Sequence, residues 1–107
     1  MCVIIIYLER VIYLQNDFEL GEVVKSTAGR DKDSYYLVVN IESTKRIKVV
    51  DGVNRKFNNP KYKNSRHLKR TGYVSDEFLN MVDKNKRVRS KDVREIIKGY
   101  LKKEEAK

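Results

Sequence analysis

The order of hydrophobic and polar residues predicts β-strands in the middle of the chain. Residues 35–41, Tyr-Tyr-Leu-Val-Val-Asn-Ile, are rich in the β-branched and aromatic side chains typical of strands, and residues 46–50 begin with alternating charged and apolar side chains. Further strands are predicted over 18–26, 53–57 and 67–71. Several short strands within roughly fifty residues indicate a small β-barrel.

Turn signals separate these predicted strands. Gly29 lies in a polar stretch between two of them and tolerates the positive φ angles that sharp turns require. Asp51-Gly52 is a two-residue signal for a type I′ hairpin that would join the strands on either side. Pro60 has no amide proton for a strand ladder, so it is expected to end the strand before it.

The last third of the chain changes to helical spacing. Ser75 can cap a helix in which Phe78, Leu79 and Val82 would share an apolar face. Ser90 can cap a second helix, with apolar residues at i, i+3, i+4, i+7 and i+8. The residues of this stripe are Val93, Ile96, Ile97, Tyr100 and Leu101. Neither helix is long enough to be stable alone in water, so both are expected to dock within the same chain.

These elements divide the chain into three segments, with a barrel over 17–73 and a helical tail over 74–107. The N-terminal extension, residues 1–16, contains an apolar run that is too short to span a bilayer. It also lacks the basic start and the small-residue cleavage site of a signal peptide. Two interpretations stay open: an extra strand or short helix that packs on the domain, or a start-site artefact in which the native chain begins at Leu14.

Charge adds a candidate partner to this picture. Among 107 residues, Lys and Arg number 24 and Asp and Glu number 15, which gives a net charge of +9. Residues 51–74 hold seven of the cations and one acid, together with asparagines and tyrosines. A solvated charged loop is the simpler alternative, but so little compensating acid favours a polyanionic partner. Cations interleaved with amides and aromatic rings are typical of nucleic-acid contacts.

The chain offers little chemistry for catalysis. Its single cysteine, Cys2, cannot form an internal disulfide, as expected in a reducing cytosol. Its single histidine, His67, has no companion ligands for a metal site. No phosphate-binding glycine motif is present. We therefore expect a monomeric cytoplasmic protein that is not an enzyme, needs no cofactor or metal, and does not bind a membrane.

Part of the sequence resembles a KOW-type domain, the small SH3-like barrel of ribosomal proteins and of the NusG class of transcription factors. The residues that carry the resemblance are Leu-Gly-Glu-Val-Val-Lys-Ser at 20–26, Ala-Gly-Arg-Asp-Lys at 28–32 and Leu-Val-Val at 37–39. The family usually has glycine after the loop lysine, where this chain has Asp33. Aspartate accepts a left-handed turn at modest cost, so the same fold is expected.

The order of residues beyond this stretch looks like that of the small KOW-domain RNA-binding proteins of Gram-positive bacteria, which are related to KOW-bearing large-subunit ribosomal proteins. It comprises Val-Val-Asp-Gly at 49–52, Arg55-Lys56, Asn-Pro-Lys at 59–61, Lys-Asn at 63–64 and His67-Leu68. The resemblance implies a mainly β fold, an SH3-like barrel followed by two short C-terminal helices.

The resemblance also implies a function in RNA binding, at ribosomal RNA or the ribosome. Together with the distribution of charge it gives a set of candidate RNA-binding residues, and no residue is assigned to catalysis. The candidates are Arg30, Lys32, Lys45, Arg46, Arg55, Lys56, Lys61, Tyr62, Lys63, Arg66, His67, Lys69 and Arg70. The alternative is a protein–protein adaptor in the translation or transcription machinery.

Overall fold

A computed structural model describes residues 4–7, 10–13 and 18–105 of the chain. The described residues form a mainly β fold, a five-stranded antiparallel sheet with two helices, and a separate strand pair. The strands are β1 (Ile4–Tyr7), β2 (Arg10–Tyr13), β3 (Glu22–Ser26), β4 (Tyr35–Ile41), β5 (Arg46–Val50), β6 (Lys61–Asn64) and β7 (Leu68–Val74), and the helices are α1 (Asp76–Asp83) and α2 (Ser90–Glu105).

The strands pair in two separate sheets. The order in the large sheet is β6-β5-β4-β3-β7, and every pairing is antiparallel. β1 and β2 form an antiparallel pair within the N-terminal extension, for which an extra strand was one interpretation. Cys2 and Leu14 lie outside the described residues, so the start-site interpretation stays a prediction.

The predictions for β4 and β5 are confirmed with the same end residues. The prediction of a strand over 53–57 is wrong, because residues 51–60 form a loop and the chain returns to the sheet only at β6. Asp51 explains the loop, since its Oδ1 accepts hydrogen bonds from the amides of Val53 and Arg55, both at 2.8 Å. This side-chain acceptor turns the backbone locally and competes with a hairpin ladder.

Residues on either side of this loop also differ from expectation. Gly52 has a positive φ of 77°, but Asp51 is not among the residues with positive φ, so the pair does not form the predicted type I′ turn. Pro60 precedes β6 and does not end a strand. The last predicted strand, 67–71, is confirmed in place, although it runs from 68 to 74 and follows a 3-10 turn over Ser65–His67.

The large sheet buries apolar side chains on both faces. We call the face covered by α2 the outer face and the opposite one the inner face. The inner cluster comprises Phe18, Val24, Tyr36, Val38, Ile47, Val49 and Leu68. The outer cluster comprises Val23, Leu37, Val50, Phe78, Val93, Ile96, Ile97 and Tyr100. Burial of each large apolar side chain contributes about 1.5–3 kcal/mol relative to exposure.

The two helices differ in how closely their packing follows the prediction. In α2, the apolar stripe packs on the sheet as predicted, with Leu101 at its half-buried end. In α1, Ser75 accepts a hydrogen bond from the amide of Phe78 at 3.1 Å and so caps the helix as predicted. However, Phe78 is buried while Leu79 and Val82 are exposed. The prediction that these three residues dock together on one apolar face of α1 is therefore wrong. The helix ends at Asp83 and touches the core through one aromatic ring.

The sheet curls so that edge strand β6 reaches the loop between β3 and β4. Lys63 Nζ of β6 lies 2.8 Å from Asp31 Oδ1 of that loop. The amide of Thr27 donates to the carbonyl oxygen of His67 at 2.8 Å. Among the described residues no strand ladder joins β6 to β7, so the curled sheet is not a closed barrel.

A buried ion pair joins β3 to β7 at the other edge. Glu22 is 0% exposed, and its two carboxylate oxygens lie 2.9 and 3.0 Å from Arg70 Nε. The same carboxylate accepts hydrogen bonds from the amides of Gly72 at 3.1 Å and Glu19 at 3.2 Å. These bonds cross the irregular pairing between the two strands and hold the edge strand in place.

Gly52 allows the β5–β6 loop to pack against the start of α2. A methyl group at this position would lie 2.5 Å from the carbonyl oxygen of Ser90 and 2.9 Å from Arg94 Cγ. We expect Gly52→Ala to lower the free energy of unfolding by about 2 kcal/mol, from backbone strain at positive φ and from this clash. Urea denaturation followed by circular dichroism measures the loss.

Gly72→Ala is the matched control for this prediction. Gly72 has a similar φ of 80°, but a methyl group there would meet no atom within 4 Å. It therefore shares the backbone strain without the clash, and we expect a loss of about 1 kcal/mol. Equal losses in the two variants would show that the contact with α2 contributes nothing.

Candidate nucleic-acid interface

Tyr62 of β6 lies at the centre of a basic patch on the outer face of the sheet. Its ring is 41% exposed. Arg46 Cζ lies 4.1 Å from the ring centroid, and Lys48 Nζ lies 5.7 Å from it. We call Arg46, Lys48 and Tyr62 the tyrosine platform. Cations at these distances are attracted to the ring, which keeps the three side chains together at the surface.

Strand alternation explains why the platform forms. In β5, Ile47 and Val49 enter the inner cluster, so Arg46 and Lys48 point to the opposite, outer face. Lys48 pairs with Tyr62 across the β5–β6 ladder, which brings the tyrosine onto the same face. Cross-strand neighbours of this kind lie about 5 Å apart, within reach of an aromatic ring.

Two further cations flank the end of the platform. The amide of Ser65 donates to the carbonyl oxygen of Lys45 at 2.9 Å, and its hydroxyl donates to that of Thr44 at 2.9 Å. Asn64 Oδ1 accepts from the amide of Arg66 at 3.0 Å. These bonds tie the β4–β5 loop to the 3-10 turn. Lys45 and Arg66 are therefore exposed beside the end of β5 and β6 where Arg46 and Asn64 pair.

Glu42 is the acid that lies next to this patch. Its Oε2 is 3.0 Å from Arg46 Nε. Both side chains are largely exposed, and such pairs contribute about 0–1 kcal/mol. A phosphate can therefore replace Glu42 at the guanidinium at small cost, while the arginine stays stacked on Tyr62.

Lys61 and Lys63, two of the candidate RNA contacts, bind a carboxylate within the domain. Asp31 lies 2.8 Å from Lys63 Nζ and 2.9 Å from Lys61 Nζ. It also accepts hydrogen bonds from the hydroxyls of Tyr36 at 2.7 Å and Ser26 at 2.9 Å. Lys63 is 8% exposed, so its ammonium has little surface to offer a phosphate. Alternation in β6 turns Lys63 to the inner face, and its assignment as an RNA contact stays a prediction.

The charge state of this cluster follows from its contacts. Burial by itself would raise the pKa of Asp31, but the hydrogen bonds, first of all from Lys63 and then from Tyr36, outweigh it and hold the pKa well below its ordinary value. Burial, together with the hydrogen bond to Asp31, raises the pKa of Tyr36 above its ordinary value. At neutral pH the cluster therefore holds an ionised aspartate and a neutral tyrosine.

Arg70 and Lys69 are adjacent in sequence and line one cavity, but they differ in their charge partners. Arg70 is held by Glu22 and lies 3.4 Å from Glu19 Oε2, so its charge is balanced within the domain. Lys69 is exposed on the outer face, where it pairs with Lys25 in the β3–β7 ladder and shares a shallow cavity with Tyr35. The assignment of Arg70 as an RNA contact stays a prediction, although its charge is already balanced within the domain.

The remaining candidates lie in loops. Arg30 and Lys32 are exposed on either side of Asp31 in the β3–β4 loop. Arg55 is half-buried, and its Nη1 lies 3.4 Å from Asn59 Oδ1. Lys56 is exposed in the β5–β6 loop, and His67 is half-buried in the 3-10 turn. The fold therefore brings together Lys45, Arg46, Tyr62 and Arg66 and places the other candidates elsewhere in the domain.

Lys48 belongs to the patch but is absent from the candidate set. The signal that could have found it is the alternation of β5, which places Lys48 on the same face as Arg46. Within residues 18–105, no group of three histidine, cysteine, aspartate or glutamate side chains is arranged to hold a metal ion. No helix in the described part of the chain has the length and apolar character needed to cross a membrane.

Comparison of the sequence with protein-family models and with curated proteins finds no match. The resemblance to KOW-type domains therefore rests on the residues that carry it.

Proposed function

We propose that this protein binds RNA without catalysing a reaction, that it acts at ribosomal RNA or the ribosome, and that the tyrosine platform is its main contact. The observation that carries the proposal is the exposed Tyr62, with Arg46 Cζ 4.1 Å and Lys48 Nζ 5.7 Å from the centroid of its ring. An aromatic ring beside cations is the combination that binds single-stranded nucleic acid, since the ring stacks on a base and the cations neutralise phosphates.

Amide side chains beside the platform support RNA as the polyanion. Asn40 of β4 pairs with Lys48 in the sheet and is exposed. Its amide can donate to or accept from a base edge or a ribose hydroxyl, and the 2′-hydroxyl distinguishes RNA from DNA. The surface thus combines phosphate neutralisation, stacking and polar readout.

The fold that we propose for the protein is an SH3-like barrel of the KOW type. Its support is five short antiparallel strands that bury both faces, together with the curl that brings β6 to the β3–β4 loop. In this proposal, Arg30 and Lys32 select RNA shape from a loop that Asp31 holds rigid. The protein works in the cytoplasm as a monomer.

Removal of the Tyr62 ring is the direct test of the proposal. We expect Tyr62→Ala to weaken binding of a fluorescein-labelled ribosomal RNA fragment with unpaired bases by about tenfold, because stacking on an aromatic ring is worth about 1–3 kcal/mol per base. Fluorescence anisotropy measures the affinity. Tyr62→Phe retains the ring and should bind as the unchanged protein does. Equal affinity of all three proteins would refute the platform as a contact.

The charges of the platform are tested by salt dependence. If about six phosphates are engaged, the slope of log affinity against log salt is roughly −4 to −5. We expect Arg46→Gln with Lys48→Gln to flatten that slope by about 1.5. The control is Lys98→Gln with Lys102→Gln, which removes two exposed charges from α2. An unchanged slope in the platform variant would contradict the proposal.

A protein–protein adaptor is the second candidate function. The observation that favours it is the exposed pair Leu79 and Val82 on α1, which the sequence pattern would have buried. Ribosome co-sedimentation with and without nuclease separates the two functions. Binding that survives complete digestion of the RNA favours the adaptor.

A further inference from the structure

A basic cleft lies between the β5–β6 loop and the segment that joins α1 to α2. It encloses about 490 Å³, within the roughly 300–1,000 Å³ of typical ligand sites. One wall presents Lys56, Phe57 and Asn58, and the other presents Arg87, Arg89 and Ser90. No acidic side chain lines the cleft among the residues that the structure describes.

Both walls of the cleft are held by hydrogen bonds. On the loop side, Arg94 Nη1 donates to the carbonyl oxygen of Gly52 at 2.7 Å, and the amide of Asn59 donates to that of Lys56 at 2.8 Å. On the helix side, Asp92 Oδ2 accepts from the amide of Arg89 at 2.9 Å. The cleft is therefore formed before any ligand arrives, which lowers the ordering cost of binding.

The chemistry of the cleft suits a nucleotide. Lys56, Arg87 and Arg89 are exposed, and within residues 18–105 none of their charged side-chain groups forms an ion pair with a carboxylate. The Phe57 ring is 38% exposed, although phenylalanine is among the residues most often buried. An exposed ring among cations can stack on a base while the cations meet its phosphate.

The sequence predicts only part of this surface. Lys56 belongs to the candidate set, but Arg87 and Arg89 come from the run Lys-Asn-Lys-Arg-Val-Arg-Ser-Lys at 84–91, which holds five cations and no acid. Their approach to Lys56 depends on the packing of Gly52 against the start of α2.

We propose that this cleft is a second RNA contact and takes an unpaired nucleotide, whose base stacks on Phe57 and whose phosphate meets Arg87 and Arg89. The inference rests on the proposed RNA-binding function. It adds a separate surface from the tyrosine platform, because the cleft is built by the β5–β6 loop and the α1–α2 segment and the platform by β5 and β6.

The test uses the full chain and two labelled probes, a 12-nucleotide oligouridylate and an abasic oligoribonucleotide of the same length. We expect Phe57→Ala to weaken oligouridylate binding about tenfold and to leave abasic binding unchanged, since only the first probe has bases to stack. Phe57→Leu retains an apolar side chain without the ring. It should show the same loss even if the alanine variant folds poorly.

The charges of the cleft have their own matched comparison. Arg87→Gln with Arg89→Gln should weaken both probes and reduce the salt slope by about 1.4. Lys98→Gln with Lys102→Gln removes the same number of charges from exposed positions on α2 and should change the slope much less. Equal effects of the two double variants would mean that only overall charge matters, and would overturn the cleft as a site.

The result for the cleft can be told apart from the result for the proposed function. If Tyr62→Ala weakens RNA binding and both sets of cleft variants bind normally, the cleft proposal is overturned and the proposed function stands. If the cleft variants lose affinity and Tyr62→Ala does not, the cleft is supported and the platform is not the main contact. If the unchanged protein binds neither probe nor ribosomal RNA fragments, the proposed function fails and the cleft proposal with it.

Discussion

Asp31→Asn is expected to lower the free energy of unfolding by about 3 kcal/mol. The Asp31 carboxylate is the shared acceptor for Lys61, Lys63 and Tyr36, and the Lys63 ammonium is nearly enclosed. Asparagine has the same size, but it is neutral and turns an amide donor toward other donors. Lys63 then stays buried without a counter-charge, which costs more than the loss of one hydrogen bond. Urea denaturation followed by circular dichroism measures the effect.

Asp33→Asn is the matched control for this variant, with the same chemical change in the same loop. Asp33 is largely exposed and lies 3.6 Å from Lys25 Nζ. An exposed pair contributes about 0–1 kcal/mol, so we expect a change within about 0.5 kcal/mol. Asparagine also accepts the positive φ of 74° at this position. Similar losses in the two variants would mean that Asp31 has no special place in the fold.

Because the pKa of Asp31 is lowered, the contribution of this side chain to the free energy of unfolding depends on pH. An aspartate in an unfolded chain has a pKa of about 3.9, and the pKa of Asp31 in the folded protein lies below that. The unfolded state therefore binds the proton more readily, so the contribution is complete above about pH 5 and is lost as the pH falls through and below 4. We expect the stability difference between the unchanged protein and Asp31→Asn to shrink over that interval. A difference that stays constant down to pH 3 would contradict the assignment.

Glu22→Gln is expected to lower the free energy of unfolding by about 2–3 kcal/mol. Glu22 is wholly buried, and its carboxylate serves Arg70 and the amide of Gly72 together. Glutamine offers one acceptor oxygen in place of two, and it brings an amide donor against the guanidinium. Because Arg70 is partly exposed, water offsets some of the loss. Urea denaturation measures the change.

Two comparisons sharpen the test of Glu22. Glu42→Gln breaks the exposed pair with Arg46 and should change stability by less than about 0.5 kcal/mol. Adding Arg70→Met to Glu22→Gln should lower the free energy of unfolding little further, because the first substitution has already broken the ion pair. Glu22→Gln should also bind RNA with unchanged affinity, since we place Arg70 within the fold and not at the interface. Additive losses from Glu22→Gln and Arg70→Met would show that the two side chains act independently.

Local patterns were enough to predict several elements. β4 and β5 have the predicted bounds because their β-branched and aromatic residues favour strand geometry over their whole length. The stripe on α2 packs as predicted, because a helix with one apolar face has to cover another apolar surface. The prediction of a strand over 53–57 failed because the same Asp-Gly pair can start either a hairpin or a loop in which the aspartate side chain bonds the backbone. The side-chain bonds from Asp51 decide for the loop.

The candidate site was predicted in composition and not in arrangement. In Lys-Tyr-Lys-Asn of β6, a simple amphipathic pattern would place Tyr62 inside and the lysines outside. The opposite occurs, because Asp31 from another loop receives Lys61 and Lys63 on the inner face. The tyrosine is thereby exposed beside Arg46 and Lys48, while two cations of the candidate set turn to the inner face.

The amino-acid order alone accounts for the excess of positive charge, the β-rich middle and the helical end, because these depend on composition and on neighbours a few residues apart. Which cations face outward depends on contacts between residues that are far apart in the chain. Lys63 and Asp31 are 32 residues apart in the chain, and Arg70 and Glu22 are 48 apart. Such pairs form only in the folded protein, where the low dielectric of the interior makes each carboxylate hold its cation.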